Sequence, residues 1–262
     1  PCFDSSSTIV ETIDSIKLQS YEKFECIIVD DNSRDASVAL IKLAVNADSR
    51  FRLITSSSNQ GVSSSRNLAL DLCKGQFLAF LDSDDLWHSE FLASAVSSLL
   101  NGEDFVYASV LRFLDTSARP SFLKVPPTSV TLSSLKLNNH IPLLTAVFRS
   151  CLLNSDIRFG QQRPEDYIFW INLFRSNQGL VGRRIGNIPL AYYRVSLNQR
   201  SSNKLINIRR AFHVYQAVFH MPLFVCFVYT VLYVLNSLID YFFQYTSPIK
   251  YPFSDSSCIS LR

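Results

Sequence analysis

Charge and histidine are both scarce in this sequence. Only 18% of the 262 residues are charged, the formal net charge is +3 at pH 7, and there are four histidines. A net charge this small excludes the strongly basic surface of nucleic-acid-binding proteins, so we expect no nucleic-acid partner. No histidine stands at metal-ligand spacing from a cysteine, which argues against a zinc site.

Paired cysteines are also missing. The six cysteines form no CxxC motif, and Cys26 and Cys226 lie inside apolar runs. A thiol in such a run behaves as a small hydrophobic side chain. We therefore expect a reduced, intracellular protein.

What the sequence does contain is an alternation of short apolar runs and helical patterns. Runs typical of buried strands lie at residues 24–29, 51–54, 77–81 and 105–113, and helical spacing is found at 9–19, 36–45 and 91–100, with a further helix ending at 72. This alternation predicts an α/β fold with a mostly parallel central sheet and flanking helices. The first helix begins with Thr8 and Glu11, which match a capping box.

Two acidic clusters follow predicted strands. Asp30 and Asp31 end the first apolar run, and residues 82–85, with the sequence Asp-Ser-Asp-Asp, end the third. Ligands collect beyond the carboxyl ends of parallel strands, so the two clusters define a candidate pocket. Carboxylates two residues apart can converge on one hard divalent cation and leave its other positions to diphosphate oxygens. The alternative for both clusters is helix capping.

A third acidic pair, Glu165-Asp166, precedes an aromatic stretch with helical character. A carboxylate there can act as a general base toward an attacking hydroxyl. The alternative is an acidic first turn that complements the helix dipole. Arg66 and Arg194 are candidate contacts to phosphate or acceptor, with a solvated surface arginine as the alternative.

The C-terminal part has a long uncharged run, with no charged residue between Arg210 and Asp240. Residues 221–239 are almost continuously apolar and are long enough to cross a bilayer. We expect membrane contact, either as a spanning helix or as one that lies in the interface. A buried core helix is the alternative.

Together, these motifs resemble the family-2 class of glycosyltransferases with the GT-A (Rossmann-like) fold. The resemblance rests on residues 29–35 (VDDNSRD), 59–67 (NQGVSSSRN), 80–85 (FLDSDD), 165–166 (ED) and 193–194 (YR). It covers about residues 1–200. Residues 1–4 resemble the end of the family's first strand, where Pro-x-Tyr-Asn is usual, but Phe3 and Asp4 depart from that pattern.

The resemblance implies roles for individual residues. It assigns nucleotide-sugar binding to Pro1, Asp31, Gly61, Arg66, Asp82 and Ser83, metal binding to Asp84, catalysis to Asp166, and acceptor or phosphate contacts to Glu165 and Arg194. The implied cofactor is Mn²⁺ or Mg²⁺. The implied reaction is a single displacement with inversion, from a nucleotide-sugar, expected to be a UDP-sugar, to a hydroxyl of a glycan or lipid-linked saccharide. Such enzymes build surface polysaccharides such as O-antigens and capsules.

The expected organisation is a GT-A domain over residues 1–200, with its first strand missing, and a C-terminal helical segment over 201–262 that associates with a membrane. The expected location is the cytoplasmic face of the inner membrane, with peripheral or single-helix attachment. Two alternatives stay open. One is a catalytically impaired nucleotide-binding scaffold of a membrane polysaccharide complex; the other is a sugar nucleotidyltransferase, although the sequence lacks a GxGxR-type loop near its start.

Overall fold

The computed structural model describes residues 1–114, 122–195 and 204–246. The helices are α1 (Ile9–Lys17), α2 (Ser37–Val45), α3 (Val62–Leu72), α4 (Phe91–Leu100), α5 (Leu132–Leu135), α6 (Glu165–Ser176), α7 (Lys204–His213) and α8 (Leu223–Thr246). The strands are β1 (Cys26–Asp30), β2 (Phe51–Thr55), β3 (Phe77–Ala79), β4 (Leu86–Trp87), β5 (Phe105–Ala108), β6 (Val110–Leu114), β7 (Phe122–Lys124), β8 (Ser129–Val130), β9 (Val147–Arg149), β10 (Gly182–Ile185) and β11 (Ala191–Val195). The predicted α/β class is confirmed.

The prediction of a mostly parallel sheet is wrong, because the described sheets are mixed. They are a parallel pair β1-β2, a five-stranded sheet β3-β9-β5-β10-β8 and a four-stranded sheet β4-β11-β6-β7. Strand β9 runs antiparallel to both of its neighbours, β3 and β5. A short apolar run predicts a buried strand but carries no information on strand direction.

The predicted strand at residues 105–113 is two strands in different sheets. β5 pairs in parallel with β10, and β6 pairs in parallel with β11. The change of sheet falls at Ser109, whose carbonyl accepts a hydrogen bond from the Leu190 N–H at 3.2 Å. The sequence shows one continuous apolar run here because both strands are buried.

Helix α1 buries two different faces. Ile9, Ile13 and Ile16 are in the core, while Thr12 and Ser15 are also buried. Apolar residues at a spacing of three to four form the core stripe of an amphipathic helix. Thr12 faces the acidic run 82–85, which is described below, whereas the Ser15 hydroxyl accepts from the Trp87 N–H at 3.3 Å.

The predicted capping box at the start of α1 does not form, since Thr8 makes no side-chain cap. The Thr8 hydroxyl instead donates to the Ser83 carbonyl at 2.9 Å, and the Glu11 carboxylate accepts from the Arg194 guanidinium. Both residues have partners distant in sequence, which a local pattern cannot show.

A cavity of about 610 Å³ lies between β1 and β3 and is lined mainly by apolar side chains such as Ile13, Ile28 and Leu78. Cys2 enters the fold beside it through a parallel bridge to Asp30.

The C-terminal part forms α7, a π-helical turn at Val214–Val218, and α8. Val214 and Val218 join the main hydrophobic core. No helix within the described residues is long and apolar enough to cross a membrane, so the expected spanning helix is not found there. Residues 196–203 and 247–262 lie outside the described part of the chain.

Candidate active site

The acidic run 82–85 connects β3 to β4 and is held from below by hydroxyl groups of α1. Its ends approach each other, since the Asp85 N–H donates to the Asp82 carbonyl at 3.2 Å. The Ser83 carbonyl accepts from Thr8, and the Thr12 hydroxyl lies 3.1 Å from the Ser83 carbonyl and 3.0 Å from that of Asp85. The backbone of the run is therefore ordered by α1, and its carboxylates can serve other partners.

Arg66 on α3 joins the acidic run to the start of α6. Its Nη2 donates to both carboxylate oxygens of Asp82, at 2.7 and 3.0 Å, and its Nη1 lies 3.4 Å from Glu165 Oε1. The arginine side chain is only 4% exposed, so the two carboxylates offset the cost of burying its charge. Burial raises the pKa of Asp82, but the charge and hydrogen bonds of Arg66, together with the charge of the Pro1 amino group, hold that pKa below its usual range.

The remaining two acids of the run have different surroundings. Asp85 is buried, and its Oδ1 accepts from the Arg194 N–H at 2.9 Å. Burial raises the pKa of Asp84, and the nearby Asp82 carboxylate raises it further. The pKa of Asp85 is raised well above its usual range by burial and by both neighbouring carboxylates. The run thus concentrates negative charge that a cation would stabilise.

A divalent cation fits this donor set only if the substrate completes its coordination. No group of three or more histidine, cysteine or acidic side chains within the described ranges is arranged to hold a metal. Mg²⁺ is commonly bound through one or two carboxylates together with substrate phosphates and water. Asp82 is committed to Arg66 and Asp85 to the Arg194 backbone, so Asp84 is the member of the run best suited to coordinate such a cation.

Arg194 lies under the acidic run, where it supports the backbone. Its Nε donates to the Asp84 carbonyl at 2.8 Å, its Nη2 pairs with Glu11, and its guanidinium lies 4.8 Å from the centre of the Phe113 ring. The side chain is 8% exposed. These contacts make Arg194 a support for the run, whereas the sequence suggested an acceptor or phosphate contact.

Asp31 connects the end of β1 to the turn before α3. Its Oδ1 accepts from the Gln60 N–H at 2.8 Å and its Oδ2 from the Gly61 N–H at 2.7 Å. Gly61 has φ +89°, a conformation that glycine adopts without strain. The Asp31 N–H donates to the Cys2 carbonyl at 2.8 Å. The structure therefore brings together Cys2, Asp31 and Gly61, and the predicted role of Pro1 beside Asp31 stays a prediction.

Asp166 is in the first turn of α6, beside the Glu165 that contacts Arg66. Its Oδ1 accepts from the Tyr167 N–H at 2.8 Å, and its Oδ2 accepts from Asn139 Nδ2 at 3.1 Å. Burial raises the pKa of Asp166, and the Glu165 carboxylate raises it further. A carboxylate with a raised pKa is a better proton acceptor, provided that it is ionised at the working pH.

Some residues that hold the acidic run and Asp166 in place are not among the site residues predicted from the sequence. Thr12 of α1 had a detectable signal, because it is a polar residue on the apolar stripe of the helix, three residues after Ile9 and four before Ile16. Asn139 had none, because it falls in a stretch rich in serine, proline and leucine that predicts only a variable connection.

Comparisons with known proteins agree with this geometry. The sequence profile described as "Glycosyl transferase family 2" matches residues 1–153. The chain is 33% identical to the Escherichia coli UDP-Glc:alpha-D-GlcNAc-diphosphoundecaprenol beta-1,3-glucosyltransferase WfgD, over 82% of each chain. It is also 27% identical to the putative teichuronic acid biosynthesis glycosyltransferase TuaG of Bacillus subtilis, over 83% of this chain and 86% of that protein. The chain belongs to glycosyltransferase family 2.

Solved structures show the same fold at lower identity. Staphylococcus aureus TarS 1-349 in complex with UDP-GlcNAc superposes with a TM-score of 0.65 at 20% identity, covering 89% of this chain and 70% of that one. The mannosyltransferase PcManGT from Pyrobaculum calidifontis, in complex with GDP-Man and Mn²⁺, gives 0.58 at 20% identity, over 82% and 60%. The expected GT-A-like α/β fold is thus confirmed.

Proposed function

We propose that this protein is an inverting glycosyltransferase that moves a sugar from a UDP-sugar to a hydroxyl of a lipid-linked saccharide in surface polysaccharide synthesis. The observation that carries the proposal is the Arg66 bridge between Asp82 and Glu165. It links the acidic run, suited to a diphosphate and its cation, to the turn that bears Asp166. Donor binding and proton transfer therefore share one site.

The donor side of the site comprises the Asp31–Gly61 turn, the acidic run and Pro1. In this proposal Asp31 accepts a hydrogen bond from the nucleobase. Its carboxylate retains lone pairs beyond the two that accept from the Gln60 and Gly61 amides. Asp82 and Ser83 contact the ribose side of the nucleotide. The UDP-sugar assignment draws on the UDP-Glc in the name of the Escherichia coli relative and on the UDP-GlcNAc bound to TarS.

The metal in this proposal is Mn²⁺ or Mg²⁺, held by Asp84. When bound, the cation supplies neutralisation of the leaving diphosphate. Arg194 holds the Asp84 carbonyl, and Thr12 holds the carbonyls of the flanking Ser83 and Asp85.

Asp166 is the proposed general base. Its carboxylate takes the proton of the acceptor hydroxyl as the oxygen attacks the anomeric carbon, while the bond from that carbon to the nucleotide breaks. A single displacement of this kind inverts the anomeric centre. One base and one stabilised leaving group suffice for it, and no covalent glycosyl-enzyme is required.

We further propose that α8 holds the protein on the cytoplasmic face of the inner membrane, where a lipid-linked acceptor lies. Eight large apolar side chains of α8 are 38–78% exposed, namely Leu223, Phe224, Phe227, Val228, Val231, Leu232, Leu235 and Leu238. An exposed apolar helix face of this extent is typical of an interaction surface. The acceptor named for the Escherichia coli relative is linked to diphosphoundecaprenol, whose long polyprenyl chain is apolar.

The direct test is release of UDP from a panel of donors, UDP-glucose, UDP-GlcNAc and UDP-galactose, with Mn²⁺ and with GlcNAc-diphosphoundecaprenol as the first acceptor. We expect turnover that depends on both acceptor and metal, and loss of metal-dependent UDP binding in Asp84→Ala by calorimetry. Asp71→Ala, which removes an exposed surface carboxylate, is the matched control.

Further outcomes distinguish the two alternatives, the impaired nucleotide-binding scaffold and the sugar nucleotidyltransferase. Tight UDP binding without turnover on any lipid-linked acceptor supports the impaired scaffold. Formation of UDP-sugar from UTP and a sugar 1-phosphate supports a nucleotidyltransferase. Wild-type UDP affinity in Asp84→Ala contradicts the assignment of Asp84 as the metal ligand.

A further inference from the structure

The two oxygens of the Asp166 carboxylate have different donors. Oδ1 accepts from the backbone of its own helix, whereas Oδ2 accepts from Asn139 Nδ2 at 3.1 Å, a side chain 27 residues earlier in the chain. The Asn139 amide has a defined orientation, because its Oδ1 accepts from the Ile141 N–H at 3.3 Å. With the oxygen engaged there, the NH₂ group points to Asp166.

Asn139 is itself held in place by packing. Ile141 is fully buried in the main core, and the Tyr167 hydroxyl donates to the Leu135 carbonyl at the end of α5. The segment from α5 to Ile141 is thus joined to the first turn of α6 at two points. A side chain fixed in this way orients its partner more strongly than a mobile surface residue does.

We propose that Asn139 is a positioning residue for the general base, holding the Asp166 carboxylate in one orientation toward the acceptor hydroxyl. This proposal rests on the proposed function, in which Asp166 takes the proton. Misplacement of a reacting group by about 1 Å can cost about 10²-fold in rate, so a hydrogen bond that fixes its orientation has a measurable effect.

The charge balance around Asp166 gives the proposal a second readout. Burial and the Glu165 carboxylate raise the pKa of Asp166, whereas the Tyr167 N–H, Arg66 and Asn139 lower it. These groups come from α6 itself, from α3 and from the segment after α5. Donation from Asn139 favours the ionised carboxylate, and a carboxylate at position 139 has the opposite effect.

The test compares Asn139→Asp and Asn139→Ala with Asn138→Ala as the matched neighbouring control. Turnover and its pH profile are measured with the best donor–acceptor pair of the panel above. We expect Asn139→Asp to lower kcat about tenfold, with the KM for the donor unchanged, and to move the acidic limb of the profile to higher pH. We expect Asn139→Ala to change kcat and the acidic limb in the same directions by smaller amounts, and Asn138→Ala to leave both at the wild-type values.

Two results overturn the proposal, and Asp166→Asn distinguishes them. If Asp166→Asn abolishes turnover but the acidic limb is unchanged in Asn139→Asp, then Asn139 only supports the fold. If Asp166→Asn retains full turnover, the base assignment itself is wrong, and the role of Asn139 is rejected with it. UDP affinity and thermal melting identify a variant that has lost its structure; should Asn139→Ala unfold, the equally sized Asn139→Asp decides.

Discussion

The donor half and the acceptor half of the site are built in different ways. Residues 1–153 match the family profile. The backbone of their acidic run is held by the side-chain hydroxyls of Thr8 and Thr12, at the start of α1, which donate to the Ser83 carbonyl. Asp166 and α8 lie beyond that match. In the proposal the base is oriented by Asn139, which lies within residues 1–153 but in a connection that no motif marks. Both halves depend on contacts between distant residues, up to 110 apart in the donor half and 27 apart between Asn139 and Asp166. The halves differ because motif residues form the donor half, whereas a side chain outside any motif orients the base.

The largest effect is expected in the acceptor half, at Asp166. Asp166→Asn removes the proton acceptor while leaving the donor half intact, so turnover falls by about 10²-fold or more. Donor binding in calorimetry stays at the wild-type level. In the wild type, turnover requires ionised Asp166, and because its folded pKa is raised, activity falls as the pH drops through that raised value. Weakened UDP binding in the variant would show that the two halves are not separable.

Breaking the bridge between the halves is expected to have the next largest effect. Arg66→Met leaves Asp82 and Glu165 without their common partner, and we expect a loss of about 2–3 kcal/mol in the free energy of unfolding. Chemical denaturation measures it. The control is Arg158→Met, which removes an exposed ion pair with Asp71 and should cost less than about 1 kcal/mol. Equal losses in both variants would contradict a special role for the bridge.

The proposed membrane-binding face lies on α8, so it can be altered without changing the donor half. Phe224 and Phe227 are 78% and 63% exposed on α8, and we expect Phe224→Ser with Phe227→Ser to reduce binding to anionic vesicles about tenfold. Vesicle cosedimentation measures the change, and UDP affinity serves as the internal control. Unchanged sedimentation would exclude this face of α8 as the anchor.

The smallest effect is expected where α1 contacts the acidic run of the donor half. Thr12→Val keeps the shape of the side chain but removes the hydroxyl shared by the Ser83 and Asp85 carbonyls. We expect the conformation of the acidic run to be destabilised by about 1 kcal/mol of free energy. We expect a several-fold weaker affinity for UDP with Mn²⁺, with the acceptor KM unchanged. Thr55→Val, at the exposed end of β2, is the matched control. A change in the KM for the acceptor, with UDP affinity unchanged, would show that Thr12 acts on the acceptor half and contradict this prediction.

Much of the site could be predicted because its residues stand next to strand ends and helix starts. Asp31, Gly61 and the acidic run lie where the motifs place them. The contacts of Arg194 could not be predicted, because its guanidinium binds the Asp84 carbonyl 110 residues earlier in the chain. A motif records which residue is present, but its partner depends on how distant elements pack.

The α/β class, the family and the acidic residues of the site can be read from the amino-acid sequence alone, because strand and helix periods and short motifs are local properties. The folded structure adds what no motif contains: β9 runs antiparallel between β3 and β5, Thr8 and Glu11 bond to Ser83 and Arg194, and Asn139 donates a hydrogen bond to Asp166. Each of these depends on contacts between residues far apart in the chain. Hydrogen-bonding groups take whichever partner the packed core brings within reach, and that partner is not written in the local pattern.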